Sequence, residues 1–416
     1  MKIKLTTKQA EYVKEAHHRW NFAIGAVRSG KSHLAVQYTI PDRIIGGKGQ
    51  KGLNLILGAT KENIERNVLS PMRDIWGSKM VSDINARNWA TLFGEKTYCI
   101  GAENIGQVSK LRGSEIKFAY CDEICDIHAE VFEMLKSRLS LPYSECHAAA
   151  NPASPTHYVK KFIDKAGADD IDLWCQHYTI YDNPFLPEEY VRGLEAEYRG
   201  TVYYDRYIKG LWSKAEGLIY PGYTDALEDE FSGRFRRAAL SVDYGTQNAF
   251  AAVLWLEDES GVWHAKDLYY YSGRAEGHQK TDDDYVKDLA DFASALIQKE
   301  PLETIVDPSA SSFIAALRRH GGFKVRHADN DVANGLRDTA VSLQKGLVKV
   351  SRSLEPMIEE FAGYVWDDKE DEDRPVKEND HAMDALRYFV RTKRVYKPSV
   401  QYEPVLTLEG PRRIEL

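Results

Sequence analysis

The sequence predicts an α/β chain in two domains. The first is a mostly parallel sheet around a phosphate-binding loop, and the second a mixed sheet that opens with an antiparallel meander. Three observations carry this. The string G-A-V-R-S-G-K-S at Gly25 to Ser32 fits G-x-x-x-x-G-K-[ST] at every fixed position. An apolar run ends in the acid pair Asp122-Glu123, and the strand and helix pattern restarts after residue 215.

The phosphate loop dictates its own neighbourhood. Trp20 to Ile24 reads as a short strand, and His33 to Ile40 as a helix ending before Pro41. The helix N-terminus then faces an anion, with Gly25, Ser29 and Gly30 in the turn. In such a loop the backbone N–H groups cradle phosphates, Lys31 reaches the β/γ-phosphates and Ser32 binds Mg²⁺. The motif implies a nucleoside triphosphate ligand, ATP, with Mg²⁺. Leu53 to Gly58 is the next strand and Lys61 to Leu69 the next helix. Ile116 to Cys121 is a largely apolar strand leading into Asp122, expected to hold Mg²⁺, and Glu123, expected to polarise the attacking water. Ala129 to Arg138 reads as a helix, and Cys146 to Ala150 as a small-residue strand with Asn151 at its tip, beside the γ-phosphate. An Asn-Pro turn without a ligand role fits the same residues. Gln9 lies upstream, where many motor ATPases read adenine.

The stretch from Ala215 to Gly222, followed by acidic residues, reads as a linker. The expected organisation is therefore an ATPase domain over 1–214, a linker over 215–236, a second domain over 237–395 and a tail over 396–416. Strands are expected at Ala238 to Val242, Ala249 to Leu256 and Val262 to Tyr271, with a hairpin turn at Asp258 to Gly261. A helix from Asp283 to Lys299, a strand from Glu303 to Val306 and a helix–strand pair (Phe313 to His320, Phe323 to Arg326) follow. The last helix begins near Asp380, read as its N-cap, with Ala382, Ala385, Leu386 and Phe389 on one face. Asp243 and Asp307 stand at strand ends and Asp384 on that helix, with His381 one turn earlier. A meander followed by helix–strand units, with acids in these places, is the layout of ribonuclease-H-like nucleases. There carboxylates hold two divalent ions, Mg²⁺ or Mn²⁺, roughly 3.5–4 Å apart. A fragment from about Ser232 onward is expected to fold alone.

Composition narrows the class. The formal net charge of −8 neither advertises nor excludes a nucleic-acid partner, because local basic patches decide that. No apolar run nears the roughly 20 residues that cross a bilayer, and Met1-Lys2-Ile3-Lys4 opens no signal-peptide pattern. Five cysteines, an odd number, fit free thiols in a reducing cytoplasm. Cys121 and Cys125 flank the acid pair, and His147 and His177 lie elsewhere, but without paired C-x-x-C spacing a zinc site is not expected.

From about Leu5 to Arg391 the chain resembles the large terminase subunit of tailed double-stranded-DNA bacteriophages, in its prophage-type branch. The strings carrying the resemblance are the phosphate loop, G-A-T-K-E-N-I-E-R-N-V-L at Gly58 to Leu69 and Y-C-D-E at Tyr120 to Glu123. N-P-A-S-P at Asn151 to Pro155, D-N-P-F-L at Asp182 to Leu186, D-Y-G at Asp243 to Gly245 and H-A-M-D-A-L-R-Y at His381 to Tyr388 add to it. The resemblance implies a motor that hydrolyses ATP to drive DNA into a procapsid and cuts the concatemer by two-metal chemistry. It makes Gln9 an adenine contact, Asn151 a coupling residue and Arg28 a cis arginine at the transition state. Asp243, Asp307 and Asp384 become metal ligands with His381 beside them. Some relatives carry Glu at the second acid, and Asp307 can ligate equally well. Implied partners are double-stranded DNA, the portal protein, the small terminase subunit and further copies in a ring, taken as a pentamer. The implied setting is the host bacterial cytoplasm, docked on the procapsid, with no membrane. Arg391-Thr392-Lys393-Arg394 is a candidate contact to DNA or portal. A repair or recombination ATPase fused to a nuclease, and a nucleotide-switched DNA-binding module, are the alternatives.

Overall fold

Strand β1 (Trp20–Gly25) is buried along its whole length and lies between two parallel neighbours, β6 (Glu145–Ala150) and β7 (Leu173–Tyr178). In the computed structural model, which describes residues 5–103, 106, 113–245, 249–298, 300–367 and 373–397, the chain divides after Lys214 into two units. The first holds a seven-stranded sheet in the order β3-β4-β2-β5-β6-β1-β7. Its remaining strands are β2 (Leu53–Gly58), β3 (Trp89–Leu92), β4 (Glu95–Gly101) and β5 (Ile116–Asp122). All neighbours run parallel except the hairpin β3–β4. Apolar side chains on both faces explain this, since a parallel sheet is covered on both sides.

Two helices on one face are built alike, and both depart from the sequence expectation. The first runs on past Pro41, as Lys31–Leu34, a π-helical turn Ala35–Thr39, and Ile40–Gly46. The second runs past Leu69, as Lys61–Ile64, a π-helical turn Glu65–Leu69, and Ser70–Trp76, with Pro71 in the same place. Proline lacks the N–H that an α-helical ladder needs. The wider turn just before it lets the helix continue, with Ile40 N–H donating to Ala35 O and Ser70 N–H to Glu65 O. The indole N–H of Trp76 donates to Val36 O at 3.2 Å, tying the second helix to the first.

The second unit holds a seven-stranded mixed sheet in the order β13-β12-β9-β10-β11-β14-β8. Its strands are β8 (Leu227–Glu228), β9 (Phe235–Asp243), β10 (Phe250–Asp258), β11 (Trp263–Tyr271), β12 (Leu302–Val306), β13 (Phe323–His327) and β14 (Val348–Ser351). The meander β9-β10-β11 is antiparallel, and the outer pairs are parallel. The final helix, His381–Lys393, lies against this sheet, with Phe389 stacked on Trp255 at 4.2 Å between ring centroids.

The segment read as a linker is not one in its first part. Ile219, Tyr220 and Ala226 are buried, Ile219 N–H donates to Tyr364 O, and β8 pairs with β14. The Gly and Pro residues that suggested a linker make turns, while the apolar residues between them complete the second core. The helix expected from Asp283 to Lys299 breaks at Ala293, between Asp282–Phe292 and Ser294–Ile297. Most of the expected tail, residues 398–416, lies outside the described residues.

Candidate functional site

The first candidate site forms where β1, β5 and β6 end together. Gly25 is glycine because a Cβ there would sit 2.0 Å from Tyr178 O. Gly30 takes a left-handed φ of 95° and leaves no room beside Gln9, whose Nε2 would be 2.9 Å from a Cβ. The buried Lys31 ammonium donates to Gly25 O (2.9 Å), Ala26 O (2.5 Å) and Ser29 Oγ (3.2 Å). Burial draws its pKa down to about 8, against the opposing pull of Glu123 and Asp122.

Strand β6, between the strand that feeds the loop and the strand that ends in the acid pair, sets the chemistry of its tip. Asn151 Oδ1 lies 3.4 Å from Lys31 Nζ, and Asn151 N–H donates to Glu123 Oε2 at 3.2 Å. One residue therefore touches both the phosphate-reaching cation and the expected water-polarising carboxylate. Glu123 adopts a left-handed φ of 49°, which turns its side chain away from the strand line. Burial raises the pKa of Asp122 and Glu123, and for Asp122 the adjacent Glu123 adds to the effect.

Asn67 was not singled out by sequence reasoning. It sits in the second π-helical turn and donates from Nδ2 to Asp122 Oδ2 at 3.2 Å. It lies inside the string at Gly58 to Leu69, the only signal that could have found it. Gln9 is engaged at both ends: Oε1 accepts from Thr6 N–H at 2.9 Å, and Nε2 donates to Gly30 O at 3.0 Å. These bonds brace the loop, and because each end of an amide can take a second partner they do not exclude an adenine contact. Arg28 is exposed at a left-handed φ of 56°, and Asn183 of the D-N-P-F-L string holds its carbonyl at 2.7 Å. Ser32 lies in the first turn of the helix that Lys31 opens.

The second candidate site belongs to the second unit. β9 and β12 are parallel neighbours with Val242 opposite Val306, so Asp243 and Asp307 emerge from adjacent strand ends. Asp243 Oδ2 meets His381 Nδ1 at 2.9 Å. Burial raises the Asp243 pKa, His381 opposes, and the charge of Asp384 pushes further up. Burial would lower the His381 pKa, but its bond to Asp243 together with the charges of Asp243, Glu360 and Asp380 raises it. Asp384 Oδ1 accepts from Arg387 at 2.9 and 3.2 Å, and Oδ2 lies 3.4 Å from Lys377 Nζ. Asp307 accepts from Ser309 N–H at 2.7 Å. Burial opposes ionisation there, yet hydrogen bonds from Ser309, Tyr388 and Asn330 hold its pKa below the usual range. Buried Tyr388 feels the charges of Asp384, Asp243 and Asp307 and so stands among all three.

Among the described residues no three His, Cys, Asp or Glu side chains close on one point as a finished ligand set. The expected trio shares a neighbourhood, but each member is turned to its own donor or cation, as mutual repulsion of carboxylates demands. The donor chemistry fits hard divalent ions, and the Lys377 ammonium already stands where Asp384 offers an oxygen.

Asp380 precedes the last helix as expected but does not cap it: its carboxylate turns to Lys377 at 3.1 Å. The cap comes from buried Glu360 on the helix Glu355–Gly363, whose Oε2 accepts from Ala382 N–H (2.6 Å) and Met383 N–H (3.1 Å). Tyr270 donates to its other oxygen at 2.9 Å. Of the basic residues near the C-terminal end, Arg391 pairs with Asp329, Asp331 and Asp338, and Lys393 with Glu303. These pairings tie both side chains to the second unit's own acids.

Comparison with known proteins bears on the family and the fold. Residues 28–224 match the family described as Terminase large subunit, T4likevirus-type, N-terminal. The chain is similar to the large terminase of a thermophilic bacteriophage, solved in complex with ADP. It is 31% identical over 93% of this chain and 99% of that one, with a TM-score of 0.83. A second structure of the same phage protein gives 31% identity, coverage of 94% and 99%, and a TM-score of 0.84. A third, in complex with ATP-γ-S, gives 31%, 93% and 98%, and 0.81. No curated protein matches.

Proposed function

The chain belongs to the large terminase family, and from that premise we propose that it is the motor and cutter of viral DNA packaging. As a large terminase it is an ATPase and a nuclease. In our reading the first unit hydrolyses ATP to translocate double-stranded DNA into a procapsid, and the second cuts the concatemer. The observation that carries the reading is Asn151, which joins Lys31 to Glu123 across the tip of β6.

In the proposed ATPase site, Lys31 and the loop amides hold the phosphates. Bound by Ser32 and Asp122, Mg²⁺ supplies charge neutralisation at the transferring phosphoryl group. Glu123 orients the attacking water and takes its proton. Asn151 shifts between Lys31 and Glu123 as the γ-phosphate leaves, which passes hydrolysis to the rest of the unit. Arg28 supplies positive charge in cis. The nucleotide-bound structures of the thermophilic phage protein support this placement.

In the proposed nuclease site, Asp243, Asp307 and Asp384 hold divalent ions, Mg²⁺ or Mn²⁺, which supply Lewis-acid stabilisation of attacking and leaving oxygens. His381 orients Asp243 and accepts or returns a proton. Glu360 fixes the helix that presents His381 and Asp384. Proposed partners are double-stranded DNA, the portal protein, the small terminase subunit and further copies in a pentameric ring, in the host cytoplasm on a docked procapsid. Among the described residues no helix is long and apolar enough to cross a membrane.

The test is ATP-driven uptake of DNA into empty procapsids. Uptake is expected with the native chain and lost with Lys31→Ala. Undiminished uptake with Lys31→Ala would overturn the proposal.

A further inference from the structure

Lys377 stands between two buried carboxylates, with Nζ 3.1 Å from Asp380 Oδ2 and 3.4 Å from Asp384 Oδ2. The setting is lopsided. The side chains of Asp380 and Asp384 are 10% and 12% exposed, whereas that of Lys377 is 62% exposed. The acids are therefore fixed in the protein while the cation reaches them from the solvent side. Buried Arg387 already takes Asp384 Oδ1 in a two-pronged contact, so Oδ2 is the oxygen that Asp384 has left to offer. Lys377 lies on that oxygen.

The surroundings favour a cation there. Asp243 feels the charges of Asp384 and Asp380. Glu360, another buried carboxylate, caps the same helix. A cation placed among several buried carboxylates offsets their mutual repulsion.

We propose that Lys377 is a built-in counter-cation of the nuclease site, which a divalent ion must displace from Asp384 before it can bind. This rests on the reading of Asp384 as a metal ligand. The consequence is a threshold: the ammonium competes for one oxygen, so the site fills at a higher ion concentration than its acids alone would require. Its solvent-exposed stem can carry the ammonium aside without unpacking the core.

The test is Mn²⁺ binding to the full chain without nucleotide, followed by the electron paramagnetic resonance signal of free Mn²⁺. Native protein, Lys377→Met, Lys377→Arg, Asp384→Asn and Lys377→Met/Asp384→Asn are compared. The component lost in Asp384→Asn reports the nuclease site. Lys377→Met is expected to bind that component about tenfold more tightly, as removal of one nearby charge implies. Lys377→Arg stays close to native, and the double variant loses the gain. Thermal melts give a second reading: without Mn²⁺, Lys377→Met melts below native protein, and added Mn²⁺ raises it further than it raises native protein. If Asp384→Asn weakens binding but Lys377→Met leaves it unchanged or weaker, the counter-cation proposal alone is overturned. If Asp384→Asn leaves Mn²⁺ binding intact, the metal reading beneath it falls as well.

Discussion

Asp122 and Glu123 in the first unit share one buried cation, Lys31, whose ammonium donates to backbone carbonyls and Ser29 and touches neither acid directly. In the second unit Asp243 has His381, Asp384 has Arg387 and Lys377, and Asp307 has the Ser309 amide. In the first arrangement the cation lies on neither acid, whereas in the second His381, Arg387 and Lys377 each lie directly on a carboxylate. A site of the first kind depends on its ligand to complete its electrostatics, as Mg²⁺ with a nucleotide would. In a site of the second kind the carboxylates already hold partners, and an incoming ion has to compete for their oxygens.

The largest expected effect breaks the two sites apart. Glu123→Gln should lower ATP hydrolysis by about 10²–10⁴-fold while leaving DNA nicking intact, because the amide cannot take the proton. Asp243→Asn should do the converse. Phosphate release and nicking of supercoiled plasmid, measured on the same preparations, check both. Loss of both activities in either variant would mean that the sites do not operate separately.

Next in size is the packing of the second unit. A piece starting at Ala215 should outlast one starting at Ser232 in urea, because the shorter piece loses buried Ile219, Tyr220 and Ala226. The expected gap is several kcal/mol, at about 1.5–3 kcal/mol for each large side chain. Equal midpoints would show that these residues contribute little.

A smaller effect sharpens the first site. Asn67→Ala should weaken Mg²⁺-dependent ATP hydrolysis roughly 10–100-fold by freeing Asp122 from its orienting amide. The Mg²⁺ dependence should move to higher concentration, and an unmoved Mg²⁺ curve would count against the role.

The last effect is a pH slope. Burial lifts the Glu360 carboxyl from 4.5 to about 7 in the folded chain. Between those values the folded state binds more protons than the unfolded one, so this group's contribution is fully present below 4.5 and is lost as pH rises towards 7. Glu360→Gln should flatten the fall in unfolding free energy over that window, and an unchanged slope in urea titrations would exclude the assignment.

What the sequence made legible was local. The phosphate loop, the acid pair and the two strand-end aspartates announce themselves because their chemistry needs particular residues within a few positions. Glu360 does not, since it reaches its helix from more than twenty residues away and belongs to no motif. Asp380 drew the capping role by position alone, and the nearby Lys377 drew its carboxylate elsewhere. β7 escaped notice because Trp174-Cys175-Gln176-His177 lacks a clean alternation, although it pairs with β1 along the whole strand. Proline-based punctuation misled at Pro41, where a widened turn absorbed the missing donor.

The hydrogen bond from the Trp76 indole to Val36 has a mechanical consequence. The helix that starts at Lys31 and the helix that carries Asn67 are fastened to each other away from the nucleotide end, so neither can slide along the sheet by itself. A pull on the phosphate loop becomes a pull on the residue that orients Asp122. The two sides of the proposed ATP site are thereby linked, by that bond and by the apolar side chains both helices bury in one cluster.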